Sequence, residues 1–144
     1  MPAPVMNADE IATLLHEVFP QAFYPGCGLK IERVDYASIR VRRQFREDYI
    51  RPGGTISGAT MMELADFAMY VAVFSAIGPQ PLAVTTNLTI NFLRKPAQGD
   101  LIAEARLIKV GKRLVVGEVL IYSDGVAEPV AHVTSTYSIP NNNN

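Results

Sequence analysis

One carboxylate stands in the middle of an otherwise apolar run. The run follows Arg51-Pro52-Gly53-Gly54-Thr55-Ile56-Ser57-Gly58 and reaches Gly78, with Asp66 near its centre. Aspartate is seldom buried unless it is paired or functional. An acid so placed can act as a general base or as a nucleophile. The start of the same run offers a second chemical resource. The first N–H groups of a helix are unpaired and carry the positive end of its dipole, so they can hold negative charge developing on an oxygen. Gly58 has no side chain to keep a ligand away from those groups. Ser57 and Asp66 are nine residues apart, and nine helical steps of about 100° put them on opposite sides of one helix. One chain therefore need not bring the two resources together.

Competing readings attach to the neighbours. Ser57 suits a helix N-cap better than a nucleophile, because no histidine is placed to activate it. His16 falls on a peripheral helix and His132 on a late strand, and neither forms a sequence motif with an acid. Glu63 lies about 60° round the helix from Asp66. It either raises the Asp66 pKa by like-charge repulsion or pairs with a basic residue such as Arg51. Met61, Met62, Phe67, Met69, Tyr70 and Phe74 read as core, with some of them available to line a tunnel.

The elements that must hold these residues follow from pattern. Asn7 or Asp9 caps a first helix over roughly 8–19, with Ile11, Leu14, Leu15 and Val18 on one stripe and Pro20 as its stop. The segment 25–28 reads as a loop. Residues 29–46 alternate, with a turn or bulge near Asp35. Ala37, Ile39, Val41 and Phe45 oppose Ser38, Arg40, Arg42 and Gln44, a half-solvated strand with a basic face. That face either binds an anion or is a charged exterior. Gly78-Pro79-Gln80-Pro81 breaks the chain. Residues 82–92 then alternate strictly, with Leu82, Val84, Thr86, Leu88, Ile90 and Phe92 on one face and Ala83, Thr85, Asn87, Thr89 and Asn91 on the other. Strands at about 100–110, 114–122 and 128–138 are joined by hairpin signals at Gly111-Lys112-Arg113 and Ser123-Asp124-Gly125. Segment 114–122 is apolar on both faces, which suits a central strand or one covered by a partner. A helix that is apolar nearly all round must be enclosed. The expected fold is therefore one α+β domain over 1–144, an antiparallel β-sheet wrapped around one long central helix. Residues 1–27 form a peripheral helix and loop, and 141–144 a disordered tail.

Composition narrows the function classes. The chain has 144 residues, 49% hydrophobic and 19% charged, with a formal net charge of −1. That balance gives no global electrostatic basis for nucleic-acid binding. The helix at 57–77 is long enough to raise a membrane question, but Glu63 and Asp66 inside it argue for burial in protein. Cys27 is the only cysteine, so no internal disulfide forms and no zinc cluster is spelled out. The first ten residues lack the basic start and apolar run of a signal peptide. A cytoplasmic protein is expected.

The stretch Arg51–Ala59 followed by Leu64-Ala65-Asp66 resembles the PaaI-like hotdog-fold acyl-CoA thioesterases. Their pattern is Asn, a glycine-bearing turn at the position of Gly54, His-Gly-Gly, and a carboxylate nine residues after the His. Arg51 stands here for the Asn, Ser57 for the His and Ala59 for the second Gly, while Gly58 and Asp66 are kept. Segment Asn87-Leu-Thr-Ile-Asn-Phe-Leu-Arg94-Lys95-Pro96 is also similar. The resemblance implies a hotdog fold and a homodimer, with homotetramers as a further possibility. It implies a site shared across the dimer, in which Asp66 activates water or attacks and the Gly58 N–H polarises the thioester carbonyl. Thr85 corresponds to a strand hydroxyl that positions water or carbonyl in some relatives. Arg51, Gly54 and Asn87 would face substrate. Arg94-Lys95 and Lys112-Arg113 are solvated loops or contacts for coenzyme A phosphates. No metal or redox cofactor is implied beyond coenzyme A as part of the substrate, and neither nucleic acid nor membrane is an expected partner. The rivals are a non-catalytic acyl-CoA or lipid-binding hotdog protein and, less favoured without a histidine, an acyl-thioester dehydratase or hydratase.

Overall fold

The computed structural model describes residues 2–140; the expected tail at 141–144 lies outside them. Helix α1 (Ala8–Val18) is followed by strands β1 (Leu29–Asp35) and β2 (Ser38–Arg43), then by a 3-10 turn at Glu47–Tyr49. A two-residue hairpin of β3 (Ile50–Arg51) and β4 (Thr55–Ile56) leads into helix α2 (Gly58–Ile77). Strands β5 (Val84–Phe92), β6 (Leu101–Val110), β7 (Leu114–Ser123) and β8 (Pro129–Ser138) complete the chain. The six long strands form one antiparallel sheet in the order β1-β2-β6-β7-β8-β5. The segment 114–122 is thus a central strand, one of the two placements its apolar faces allow.

Helix α2 touches every strand of that sheet. Most of its residues are buried, with Leu64, Ala68, Met69, Val71, Val73 and Phe74 fully so. Its length and hydropathy would suit a membrane span, but 78% of that window is buried inside the protein. The sheet curls close enough that a Cβ on Gly117 of β7 would lie 2.7 Å from the Met69 sulfur. Asn7 caps α1 in a capping box with Glu10, one of the two caps that the sequence allows. Helix α1 then packs its Ile11 and Leu15 on the core.

One feature departs from the sequence pattern, and one open choice is decided. The alternation over 82–92 does not hold, because a bulge interrupts the β5–β8 register between Thr85 and Asn87. A bulge inserts one residue and switches the faces. Ala83 and Thr85 therefore point toward α2, and after the bulge Leu88 and Ile90 do so instead of Asn87 and Thr89. Of the two readings of the basic outer face of β2, the charged exterior holds. Arg40 and Arg42 both bind Glu32, Arg40 also binds Glu104, and Arg42 also binds Asp100 and Asp124. It is a charged exterior in which each guanidinium already has carboxylate partners.

Candidate active site

The acid side of the site is built by α2, β5 and β8. The Thr85 hydroxyl donates to Asp66 Oδ1 at 2.5 Å and the Tyr137 hydroxyl reaches the same oxygen at 2.8 Å. The phenol is also 2.9 Å from the Asp66 main-chain oxygen. Thr85 and Tyr137 are direct cross-strand partners, so the sheet register itself converges two hydroxyls on one carboxylate oxygen. Among the described residues no donor reaches Oδ2. Asp66 is half-buried rather than sealed in the core. It opens on a cleft of about 640 Å³ shared with Phe19, Phe67, Tyr70, Ala83 and Thr85. Burial pushes the Tyr137 phenol far above its ordinary pKa, and the Asp66 charge pushes it further the same way. Tyr137 is therefore a permanent donor. Peripheral α1 contributes more than expected, since its last turn and cap, Val18 and Phe19, wall this cleft, with Phe19 edge-on to Tyr70.

The other resource is the start of α2. Ser57 caps it, its Oγ accepting from the Thr60 N–H at 3.2 Å and meeting the Thr60 hydroxyl at 2.9 Å. The capping reading of Ser57 holds, and its hydroxyl is already engaged. Thr60 N–H is satisfied by that cap and Met61 N–H by the Ser57 carbonyl. The Gly58 and Ala59 N–H groups meet no acceptor among the described residues. Gly58 matters for space: a Cβ there would lie 2.9 Å from the tip of the Phe92 ring. Asp66 is eight residues further along the helix, about 12 Å at 1.5 Å per residue. One chain keeps the carboxylate and the free N–H groups apart, as the helical geometry predicts.

The remaining candidates fall in several places. Arg51 is exposed in β3, and Glu63 does not pair with it. Glu63 instead binds Arg43 at 2.6 Å. The Arg43 side chain is only 6% exposed, donates to the Cys27 carbonyl and stacks on Tyr49. Of the two roles open for Glu63, pairing is the one seen, with a partner that the sequence reading missed. Gly54 is exposed and its carbonyl accepts from Gln98. Asn87 lies outward on β5, and its carbonyl accepts from Ser135. Arg94 binds the Pro129 carbonyl and lies 3.5 Å from Glu128, and Lys95 is exposed. Lys112 and Arg113 sit at the β6–β7 tip. That tip is alongside Val84, because Leu114 pairs with Ser138 and Ser138 with Val84. Arg94 follows Phe92 at the opposite end of β5, about 26 Å away at 3.3 Å per residue. One chain does not join the two basic patches. His132 does find an acid in the folded chain, one that no sequence motif announces. It meets Glu118 at 3.0 Å, on the outer face of the sheet, away from Asp66.

Six antiparallel strands curled about one enclosed helix define the hotdog fold, here with an acid in the helix and unpaired N–H groups at its start. The chain belongs to the thioesterase superfamily, whose profile matches residues 53–130. A crystal structure named as a putative thioesterase from Silicibacter sp. TM1040 is 41% identical, covers 96% of this chain and 94% of its own, and superposes with a TM-score of 0.84. A mutant structure of the phenylacetic acid degradation protein PaaI from Thermus thermophilus is 26% identical, covering 78% of this chain and 94% of its own with a TM-score of 0.69. A protein named putative esterase from Halobacterium salinarum is 32% identical over 80% of each chain. The expected fold and PaaI-like kinship are thereby borne out, and thioester hydrolysis is the activity the family supports.

Proposed function

We propose that this protein hydrolyses an acyl-CoA thioester at a site completed by a second copy of the chain. The observation that carries the reading is the position of the two resources on β5. Asp66 lies by its Val84 end and Gly58 by its Phe92 end, and β5 is an unpaired edge of the sheet. Antiparallel pairing of two β5 edges would set the Asp66 side of one copy beside the Gly58 side of the other. The same pairing would bring Arg94 and Lys95 of one copy toward Lys112 and Arg113 of the other, a basic rim suited to coenzyme A phosphates.

In this reading the free Asp66 Oδ2 either takes a proton from water as the water attacks the carbonyl carbon, or attacks that carbon itself. Thr85 holds the carboxylate from its other oxygen. The Gly58 N–H, at the dipole's positive end, receives the oxyanion. Collapse of the intermediate breaks the C–S bond, and the thiolate of coenzyme A leaves and is protonated; where Asp66 is the nucleophile, water then cleaves the acyl–Asp66 anhydride, releasing the acid and freeing the carboxylate. Ser57 contributes by fixing the helix start, and no metal or redox cofactor takes part.

Asp66→Asn tests the reading in a thiol-release assay over short, aromatic and long acyl-CoAs. We expect a loss of about 10²–10⁴ in kcat with the fold retained. Near-normal turnover by that variant removes Asp66 from the mechanism. Acyl-CoA binding by the wild-type protein without thiol release across the panel selects the binding module instead.

A further inference from the structure

We propose that Tyr137 is a positioning residue that makes Asp66 act through one defined oxygen. The inference rests on the reading of Asp66 as the catalytic acid. Tyr137 is 3% exposed, and its hydroxyl lies within hydrogen-bond distance of two Asp66 atoms, the carboxylate Oδ1 and the main-chain oxygen. A phenol has one proton, so it donates to one of these at a time. Either way it ties the acid to the last strand of the sheet. With Thr85 already on Oδ1, the carboxylate cannot exchange its two oxygens by rotation without losing both donors. Oδ2 is left without a donor among the described residues. A flexible carboxylate would present either oxygen, at varying angles, to the water or carbonyl. Effective proximity depends on that orientation being fixed beforehand.

The surroundings leave few other side chains to orient Asp66. The titratable groups on the cleft walls are Glu63 and Tyr70 on α2 and Tyr137 on β8, with none from β5 or the end of α1. Glu63 is committed to Arg43, and the Tyr70 hydroxyl donates to the Pro81 carbonyl. Thr85 and Tyr137 are thus the side chains that address the carboxylate directly. Both donors sit on Oδ1, so the pair fixes which carboxylate oxygen stays unengaged.

The test compares kcat and KM for wild type, Tyr137→Phe, Thr85→Val and Thr85→Ser. Tyr137→Phe should lower kcat about 10-fold or more with KM nearly unchanged. A kcat loss without a matching KM change marks misdirected chemistry in a site that still binds substrate. Thr85→Val should lower kcat in the same way, and Thr85→Ser should restore it. Replacing Tyr137 by 4-fluorophenylalanine fills the space of the phenol without a donor and should lower kcat like Tyr137→Phe; this settles the matter should Tyr137→Phe fold poorly. A wild-type kcat in either folded Tyr137 variant overturns the proposal, as does a loss that the unfolded fraction accounts for in both. If Asp66→Asn retains turnover, the reading beneath the proposal fails instead, and the two failures are told apart.

Discussion

The sheet has two edges, and they are built differently. β1 reads Leu-Lys-Ile-Glu-Arg-Val-Asp, with four charges in seven residues, a register irregularity near Glu32 and α1 packed beside it. β5 reads Val-Thr-Thr-Asn-Leu-Thr-Ile-Asn-Phe, nine residues without a charge, with Val84 57% and Phe92 51% exposed at its ends. Natural proteins blunt free edges with charges, bulges and covering elements because a bare edge pairs with other chains. β1 carries these devices and β5 carries only its bulge at Thr86. The bare edge beside Asp66 and Gly58 is the one open to the strand pairing that the proposed dimer requires, whereas β1 is protected.

The largest effect should come from giving β5 the protection that β1 has. Thr89→Lys with Asn91→Lys places two outward cations on β5, which would meet their own copies across a two-fold axis. We expect the assembly to fall apart on sedimentation and turnover to drop about 10²-fold or more, while circular dichroism keeps the native fold. A dimer that survives with full activity would separate assembly from the β5 edge. Next comes Gly58→Ala, which sets a methyl group against Phe92 and crowds the free N–H groups. A kcat loss of about 10²-fold is expected, the scale for one oxyanion donor. Adding Phe92→Ala should recover part of it, which would assign that part to crowding.

The smallest effect belongs to β1. Burial alone would raise the Glu32 pKa, but its bonds to Arg42 and Arg40 outweigh that and hold it below the ordinary carboxylate value. A carboxyl lowered by folding adds stability above its unfolded pKa and loses that contribution as pH falls through the folded one. Glu32→Gln should therefore cost about 1 kcal/mol near neutral pH and progressively less in acid, measured by urea unfolding, with oligomeric state and turnover unchanged. A change in assembly would break the contrast between the two edges.

Much of this was legible in residue order because it depends on local periodicity. An apolar helix without a polar face had to be enclosed, and turn residues at Gly111 and Gly125 marked the β6–β7 and β7–β8 connections. The missed features depend on register, which local pattern does not carry. Nothing in Val84–Phe92 announces the bulge at Thr86, because the alternation continues across it. Tyr137 shares a face with Val133 and Ser135 and looks like another core residue until its pairing with Thr85 is known. Arg43 did leave a signal: it falls in phase with Ile39 and Val41 on the apolar face of β2, where a charge demands a buried partner. The opposite placement of Arg94-Lys95 and Lys112-Arg113 likewise follows from strand pairing and could not be read from the two patches.

The bond between Asp66 and Tyr137 joins residues 71 positions apart. A ribosome adding roughly 5–20 residues per second makes the acid about 4–14 s before the hydroxyl that holds it. Until β8 docks, Asp66 belongs to an apolar helix whose sheet lacks both of its last pairings, β7 with β8 and β8 with β5. The nascent chain therefore carries its carboxylate without a fixed orientation, and the bond that orients it forms only with the closing strand.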